Sequence, residues 1–322
     1  MLDVMLLCQA VDDAAAAGYN WLSVSGGEPL LYGGLPTLLR HAKSRGLNTA
    51  VTSNGLLWTG HRLERFAELT DLLVISIDGV PASHDRIRNR SGAFATITRR
   101  LNEIRQHGMT FGFIFTLTQF NLHELPWVAD FAVQQGARLL QVHPLEATGE
   151  AAHKLPGAVP DHTEAAYAWL LARQLESGLS GRLPIQVDVV FSDAVKNHPE
   201  RFYATASAAP LQKVSPLIIE HDGTVVPLHY GFPRRYALGN LHDAPLHRLF
   251  ERWHRQVAPS FGAVCRAVHE RSTTTAQPHF FDWYAAVAAT AAGEPMDVQN
   301  HLTTSAGERL ADEATVRAPA PL

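Results

Sequence analysis

The chain predicts an α/β fold: a parallel sheet, open or closed into a barrel, followed by a small α+β unit. Three observations predict it. Between residues 3 and 143, apolar strand-like runs alternate with helical stretches through short connections, which is the texture of a parallel sheet with helical crossovers. The run at residues 72–77 is almost continuously apolar, as a strand covered on both faces requires. Early helical stretches close on a glycine, Gly18 and then Gly46, the residue that best takes the left-handed position after a helix.

Taken in order, residues 3–17 read as a helix and 21–25 (Trp-Leu-Ser-Val-Ser) as a short strand stopping at Gly26-Gly27. A helix is expected over 35–44 and a strand over 48–52, ending at Ser53-Asn54-Gly55. A helix over 61–69 precedes the strand at 72–77. Then come a helix over 93–106, a strand over 110–117, a helix over 122–134 and a strand over 138–143. The texture changes after about residue 147. Residues 150–162, with Pro156, Gly157 and Pro160, read as loop and 163–177 as helix, with one further strand over 185–190. Two apolar runs, 217–220 and 224–226, flank His221-Asp222-Gly223, and an Asp-Gly turn in that setting signals a hairpin. Helices are expected over 246–255 and 280–291. The tail from 293, poor in large apolar residues, is expected to be disordered. Four segments follow: 1–149, 150–213, 214–292 and 293–322.

Composition bounds the function. With 322 residues, 46% hydrophobic, 18% charged and a formal charge of −4, the chain has ordinary globular composition. Nothing in that charge balance attracts nucleic acid or an acidic membrane surface. No stretch approaches the roughly 20 apolar residues that span a bilayer. Residues 1–17 carry Asp3, Asp12 and Asp13 without a basic leader, which is unlike a secretory signal, so a cytoplasmic location is expected. The only cysteines are Cys8 and Cys265, too few for a disulfide framework or for a four-thiolate cluster within one chain. The 17 histidines are scattered, with no repeated ligand spacing.

In parallel α/β folds ligands gather at the carboxyl ends of strands, where loops and helix starts present free N–H groups. Those loops read Ser25-Gly26-Gly27-Glu28-Pro29, Thr52-Ser53-Asn54-Gly55, Ser76-Ile77-Asp78-Gly79 and His143-Pro144-Leu145. Read singly, their Gly, Pro and Asn are ordinary turn residues. At four successive strand ends they read as one composite site.

The series resembles the radical S-adenosylmethionine (SAM) superfamily in order and spacing. Gly26-Gly27-Glu28-Pro29 is similar to that family's GGEP segment, and Ser53-Asn54-Gly55 to the loop after its third strand. Ser76-Ile77-Asp78-Gly79, followed by His84-Asp85-Arg86-Ile87-Arg88 and Gly92-Ala93-Phe94, resembles the fourth-strand stretch of the branch that modifies peptides and cofactors. Val142 to Gly149 resembles the sixth strand. The resemblance implies a partial (β/α)6 TIM-like barrel and SAM as cofactor. It implies that Gly26, Gly27, Glu28 and Pro29 face the methionine amino group, Ser76 the ribose, Arg88 the carboxylate and Val142 the adenine, with Ser53, Asn54 and Asp78 as further contacts. A sulfonium zwitterion needs just these partners: a cation for its carboxylate, acceptors for its ammonium and an apolar wall for adenine. The implied reaction is reductive SAM cleavage and hydrogen abstraction from a peptide or small-molecule precursor.

A second resemblance covers about residues 215–265. The run from Leu217 to Pro227, then Tyr230-Gly231, Leu238-Gly239-Asn240-Leu241 and Phe261 to Cys265, is similar to the auxiliary-cluster extension called SPASM. That pattern places a cysteine after the proline; here Leu228 stands there, and a leucine holds no iron. The region reads as a scaffold kept without its cluster, or as an unrelated small subdomain.

The chain departs from the family at its defining feature. The CxxxCxxC loop that binds a [4Fe–4S] cluster is absent, and Cys8 stands alone inside the expected first helix. Either the chain begins after that loop and first strand, or the cluster is lost. A missing first strand would leave the strand at 21–25 as a bare edge open to a partner protein. A cluster-less binding protein that partners an active maturase is therefore the alternative. A metal-dependent barrel hydrolase using His84, Asp85 and His143 is a third reading. No catalytic residue and no metal ligand is assigned.

Overall fold

A computed structural model describes residues 1–146, 155, 157–203, 214–274 and 280–293. Residues 150–154 and 156 of the expected loop, Gly149, and the tail from 294 lie outside the described residues.

Helix α1 (Val4–Ala16) is started by Asp3, whose carboxylate accepts the Met5 N–H. The chain then alternates strand and helix: β1 (Trp21–Val24), α2 (Leu35–Ser44), β2 (Asn48–Ser53), α3 (Gly60–Phe66), β3 (Leu72–Ser76), α4 (Pro81–Ile87) and α5 (Ala93–Gln106). β4 (Phe111–Leu117), α6 (Leu125–Gln135), β5 (Leu140–Pro144), α7 (His162–Gly178) and β6 (Ile185–Val187) complete the series. The six strands lie in chain order β1-β2-β3-β4-β5-β6, every neighbouring pair parallel, and curl into a half-barrel with helices against it. β1 and β6 are the two edges, so all carboxyl ends open along one rim.

The sheet's core explains the sequence pattern. Leu73, Ile75, Phe113, Phe115 and Leu117 are fully buried, packed with Leu39, Leu63, Leu101 and Val128 from the helices. Each such side chain contributes about 1.5–3 kcal/mol on leaving water. This is why β3 and β4 read as apolar runs rather than as alternating patterns.

The remainder forms a second core. β7 (Val190–Phe191) and α8 (Ser192–Asn197) lead into the hairpin β8 (Leu217–Ile219) and β9 (Thr224–Pro227), with β10 (Gly239–Asn240) on the other edge of β9. The hairpin turn forms as expected: Gly223 has φ +85 and the Asp222 carboxylate accepts the Thr224 N–H at 2.9 Å. α9 (Leu246–Gln256), α10 (Ala258–Thr274), β11 (Phe280–Phe281) and α11 (Trp283–Ala292) pack Leu249, Phe250, Trp253, Phe261, Val268 and Val287 together. α1 joins the two cores: Cys8 and Val11 pack with Leu38 and Ala42 of α2, while Ala10 belongs to the second core and Asp13 pairs with His247 of α9 at 3.0 Å.

Two expectations need correction. The strand expected over 185–190 is two strands: β6 extends the main sheet, and β7 pairs antiparallel with β11. The break falls at Asp188, whose carboxylate meets His143 instead of a sheet face. The helix expected over 280–291 begins at Trp283, because Asp282 caps it by accepting the Tyr284 and Ala285 N–H groups. Phe280 and Phe281 are thereby freed for β11, and Phe280 stacks on Phe191. Residues 261–265 lie inside α10. No helix among the described residues is long and apolar enough to cross a membrane.

Candidate functional site

Three polar nodes line the rim of strand ends. The first joins β1 and β2. Glu28 begins a single 3₁₀ turn over Pro29–Leu31, and its Oε1 accepts the Leu30 N–H. The same carboxylate accepts the Ser53 hydroxyl at 3.0 Å and the Asn54 N–H at 3.0 Å. Ser53 Oγ in turn accepts from Trp58 Nε1 at 3.0 Å and from the Gly55 N–H at 3.1 Å, so its one donor and both lone pairs are used. The Asn54 side-chain oxygen turns back on the Leu56 N–H. Beside this node Gly26, at φ +115, and Gly27 leave open backbone: a side chain built at either meets nothing within 4 Å.

The second node stands at the ends of β3 and β4. Asp78 has no exposed surface and holds the Arg88 guanidinium in a bidentate pair, Nε to Oδ2 at 2.5 Å and Nη2 to Oδ1 at 3.1 Å. The HDxxR run makes sense as helix α4: His84 and Arg88, four apart, share the face that meets Asp78. His84 Nδ1 accepts the Asp78 N–H at 3.2 Å, which leaves the neutral ring with its proton on Nε2, and burial holds its pKa below the ordinary value. Asp85 points elsewhere, accepting the Gly92 and Phe94 N–H groups at the start of α5. Of Arg88, Nη1 makes no hydrogen bond among the described residues, and the side chain is 35% exposed. Ser76 ends β3 with little surface.

Asp78 is also gripped from the next strand end. The Thr116 N–H donates to its Oδ1 at 3.3 Å, and Asn121 Nδ2 donates to its backbone carbonyl at 3.0 Å. Glu124 accepts the Val80 N–H at 2.7 Å and the Ser83 hydroxyl at 2.5 Å.

The third node joins β5 and β6 to the second core. His143 Nδ1 meets Asp188 at 2.6 Å, and His229 Nε2 meets Glu146 at 2.8 Å. The hydrogen bond to Asp188 raises the pKa of His143 against the opposing effect of burial, and the bond to Glu146 does the same for His229. Burial works to raise Glu146, yet His229 holds it below the usual carboxylate range. Asp282 is pushed up by burial and by the nearby Asp188 and Glu146 charges.

The structure thus brings Glu28, Ser53 and Asn54 together as one network, and Asp78 and Arg88 as another one strand away. Val142 lies fully buried in the core, and the neighbouring β5 side chains with surface are Gln141 and His143. Sequence reasoning missed Asn121, Glu124, Asp188 and His229. The signal for the first two is in the sequence: residues 118–124 also follow a strand and carry Asn121 and Glu124.

The metal reading finds no support. His84 is buried on Asp78 and Asp85 caps a helix, and among the described residues no three His, Cys, Asp or Glu are placed to hold an ion.

Residues 7–132 match the family model described as the radical SAM superfamily. The chain belongs to the radical SAM superfamily. This radical SAM chain is 30% identical over 230 residues to the PqqA peptide cyclase of Ruegeria pomeroyi, covering 71% of the chain and 59% of the relative. It is 28% identical over 247 residues to the pre-heme d1 synthase of Dinoroseobacter shibae, covering 71% and 60%. It therefore spans about three-fifths of the length of these two relatives. Its fold is like that of Streptococcus suis SuiB bound to S-adenosylmethionine, with a TM-score of 0.61 at 12% identity over 80% of this chain and 60% of that one.

The family implies SAM and an iron–sulfur cluster, and the residues treat the two differently. The open Gly26-Gly27 backbone, the Glu28 carboxylate and the unused Arg88 Nη1 fit SAM's zwitterionic end. The cysteines do not fit a cluster. Cys8 and Cys265 are buried in separate cores, and burial raises both thiols, Cys265 to about 12. A cluster needs several accessible thiolates together.

Proposed function

We propose that this radical SAM chain binds SAM across the carboxyl ends of β1 to β3 and serves the maturation of a peptide or cofactor precursor. The observation that carries the reading is the Asp78–Arg88 pair. A guanidinium fixed through Nε and Nη2 keeps Nη1 directed and able to donate to a carboxylate. Glu28 and the open Gly26-Gly27 backbone supply acceptors for the ammonium. Ser76 and Asn54 are the polar groups we assign to the ribose, and buried Val142 backs the wall for adenine from within the core. SAM, when bound, supplies an activated sulfonium. The peptide or cofactor precursor is supported by what the similar proteins are named for, a peptide cyclase and a pre-heme d1 synthase. Two unpaired cysteines suit a reducing, cytoplasmic setting.

The test is calorimetric titration of the purified chain with SAM. Binding that weakens about 10-fold or more in Arg88→Ala supports the reading, since one charge-assisted contact is lost. No binding overturns it.

One observation favours a second reading, a cluster-less partner that binds without cleaving. Leu228 is buried in the second core at φ +63, and Cys265, in the same core, has its thiol pushed up to about 12 by burial. Anaerobic incubation with iron, sulfide, reductant and SAM decides between them. Release of 5′-deoxyadenosine overturns the partner reading; intact SAM with binding preserved supports it.

A further inference from the structure

The loop after β4 belongs to none of the motifs that identified the site, yet it buries two polar side chains, Asn121 and Glu124, on the rim. Asn121 has no exposed surface and its amide is fully used. Nδ2 donates to the carbonyls of Asp78 (3.0 Å) and Thr116 (2.9 Å), and Oδ1 accepts from the Thr118 N–H (2.7 Å) and hydroxyl (2.9 Å). Three residues on, Glu124 is 7% exposed and holds Val80 and Ser83, the two ends of the step from the Asp78 loop into α4. The fit is close enough to dictate a glycine. Gly79 has φ +139, and a side chain there would lie 1.9 Å from Glu124 Oε2.

The two side chains therefore hold the segment from Asp78 to Ser83 at three points: one carbonyl, one N–H and one hydroxyl. The Asp78 carboxylate leaves that segment at one end, and α4, which carries Arg88, leaves at the other. Neither a one-turn shift of α4 nor a rotation of the Asp78 peptide is possible without breaking a buried hydrogen bond, which costs about 1–3 kcal/mol for each group left unpaired.

We infer that Asn121 and Glu124 are positioning residues: they fix the Asp78–Arg88 pair and so aim the free edge of the guanidinium at the carboxylate of SAM. The ligand half of this inference rests on the proposed SAM binding; the positioning half does not. A merely structural role would be served by any packing that keeps the protein folded. Positioning requires an acceptor for Val80 and a polar partner for Ser83 at this place.

Glutamine at 124 can supply both, its oxygen to the Val80 N–H and its amide to Ser83 Oγ, whereas alanine supplies neither. Two readouts on the full chain test the inference: SAM affinity by calorimetry, and the Arg88 Nε–H resonance in 1H–15N spectra of the ligand-free protein, a signal seen when the pair protects that proton from exchange. Glu124→Ala is expected to lose the Nε–H resonance and weaken SAM about 10-fold, with Glu124→Gln restoring both to within about 3-fold of the parent. Asn121→Ala is expected to behave like Glu124→Ala; should it fail to fold, the Glu124 pair decides. An Arg88 resonance and SAM affinity unchanged in Glu124→Ala, or no recovery in Glu124→Gln, overturns the inference. If the parent chain binds no SAM, the ligand half falls with the proposed function, and the Arg88 resonance alone supports or overturns the positioning half.

Discussion

The rim of this half-barrel has two unlike ends. At β1 to β4 the carboxylates accept from N–H and hydroxyl donors, Glu28 from Ser53 and the Asn54 N–H, and Asp78 from the Arg88 guanidinium and the Thr116 N–H. At β5 and β6 the partners are imidazoles and carboxylates, His143 on Asp188 and His229 on Glu146. The first end is preorganised: several hydrogen bonds in set directions fix each carboxylate. The second is adjustable, and it sits where the second core attaches to the sheet. One sheet thus carries a rigid polar network and a titratable seam.

Breaking the rigid end should produce the largest effect. Asp78→Ala leaves Arg88 and the Thr116 N–H without their partner. It is expected to cost about 3 kcal/mol, the lower end for a broken buried pair because Arg88 reaches water. Urea unfolding of the variant beside the parent measures it; a change below about 0.5 kcal/mol, the level of an ordinary surface substitution, would show that the pair is not a structural anchor.

Ser53→Ala should cost less, about 1–3 kcal/mol, by stranding the Trp58 Nε1–H and the Gly55 N–H in a buried place. Trp58 is fully buried, and its indole Nε1–H resonance, assigned among the six tryptophans by its loss in Trp58→Phe, reports the site. An unchanged Trp58 resonance together with unchanged stability would mean that the Glu28 carboxylate has taken over both donors.

The smallest effect belongs to the seam and is one of pH. His143 and His229 have folded pKa values raised above 6.5, so their contribution is fully present below 6.5 and is lost as pH rises through the raised values. Glu146 is lowered from 4.5, so its contribution is present above 4.5 and is lost as pH falls through the lowered value. Asp282, raised from 3.8 by burial, also loses stabilisation as pH rises from 3.8 through its raised value. The two histidine–carboxylate pairs are therefore tightest between about 4.5 and 6.5 and loosen on the alkaline side. His229→Gln should flatten that alkaline slope in unfolding experiments at pH 6, 7 and 8, while Asp78→Ala should leave the slope unaltered. Equal slopes in His229→Gln and the parent would remove the distinction between the two ends.

Much of the rigid end was legible in the amino-acid sequence. The alternation of strand and helix from residue 3 to 143 survives in the structure with end shifts of up to three residues, and Gly26-Gly27-Glu28, Ser53-Asn54 and Asp78 stand at strand ends as the motifs required. The HDxxR run was legible as a motif but not as a helix, because seven residues opening on Pro81 give too short a pattern. The seam was not legible. Asp188 looked like a strand residue, Phe280 like the start of a helix, and His229 like one more scattered histidine. Each owes its role to a partner far along the chain.

The sequence by itself determined the parallel sheet, the order of its elements and the family, because hydrophobic period, glycine placement and short motifs are local and repeat at fixed spacing. Only the tertiary structure decided which groups hold the site in place. Ser83 and Glu124 are 41 residues apart, His143 and Asp188 are 45 apart, and Glu146 and His229 are 83 apart. A hydrogen bond demands an approach within about 3 Å in a set direction, and sheet curvature and the docking of the second core fix that approach across those distances.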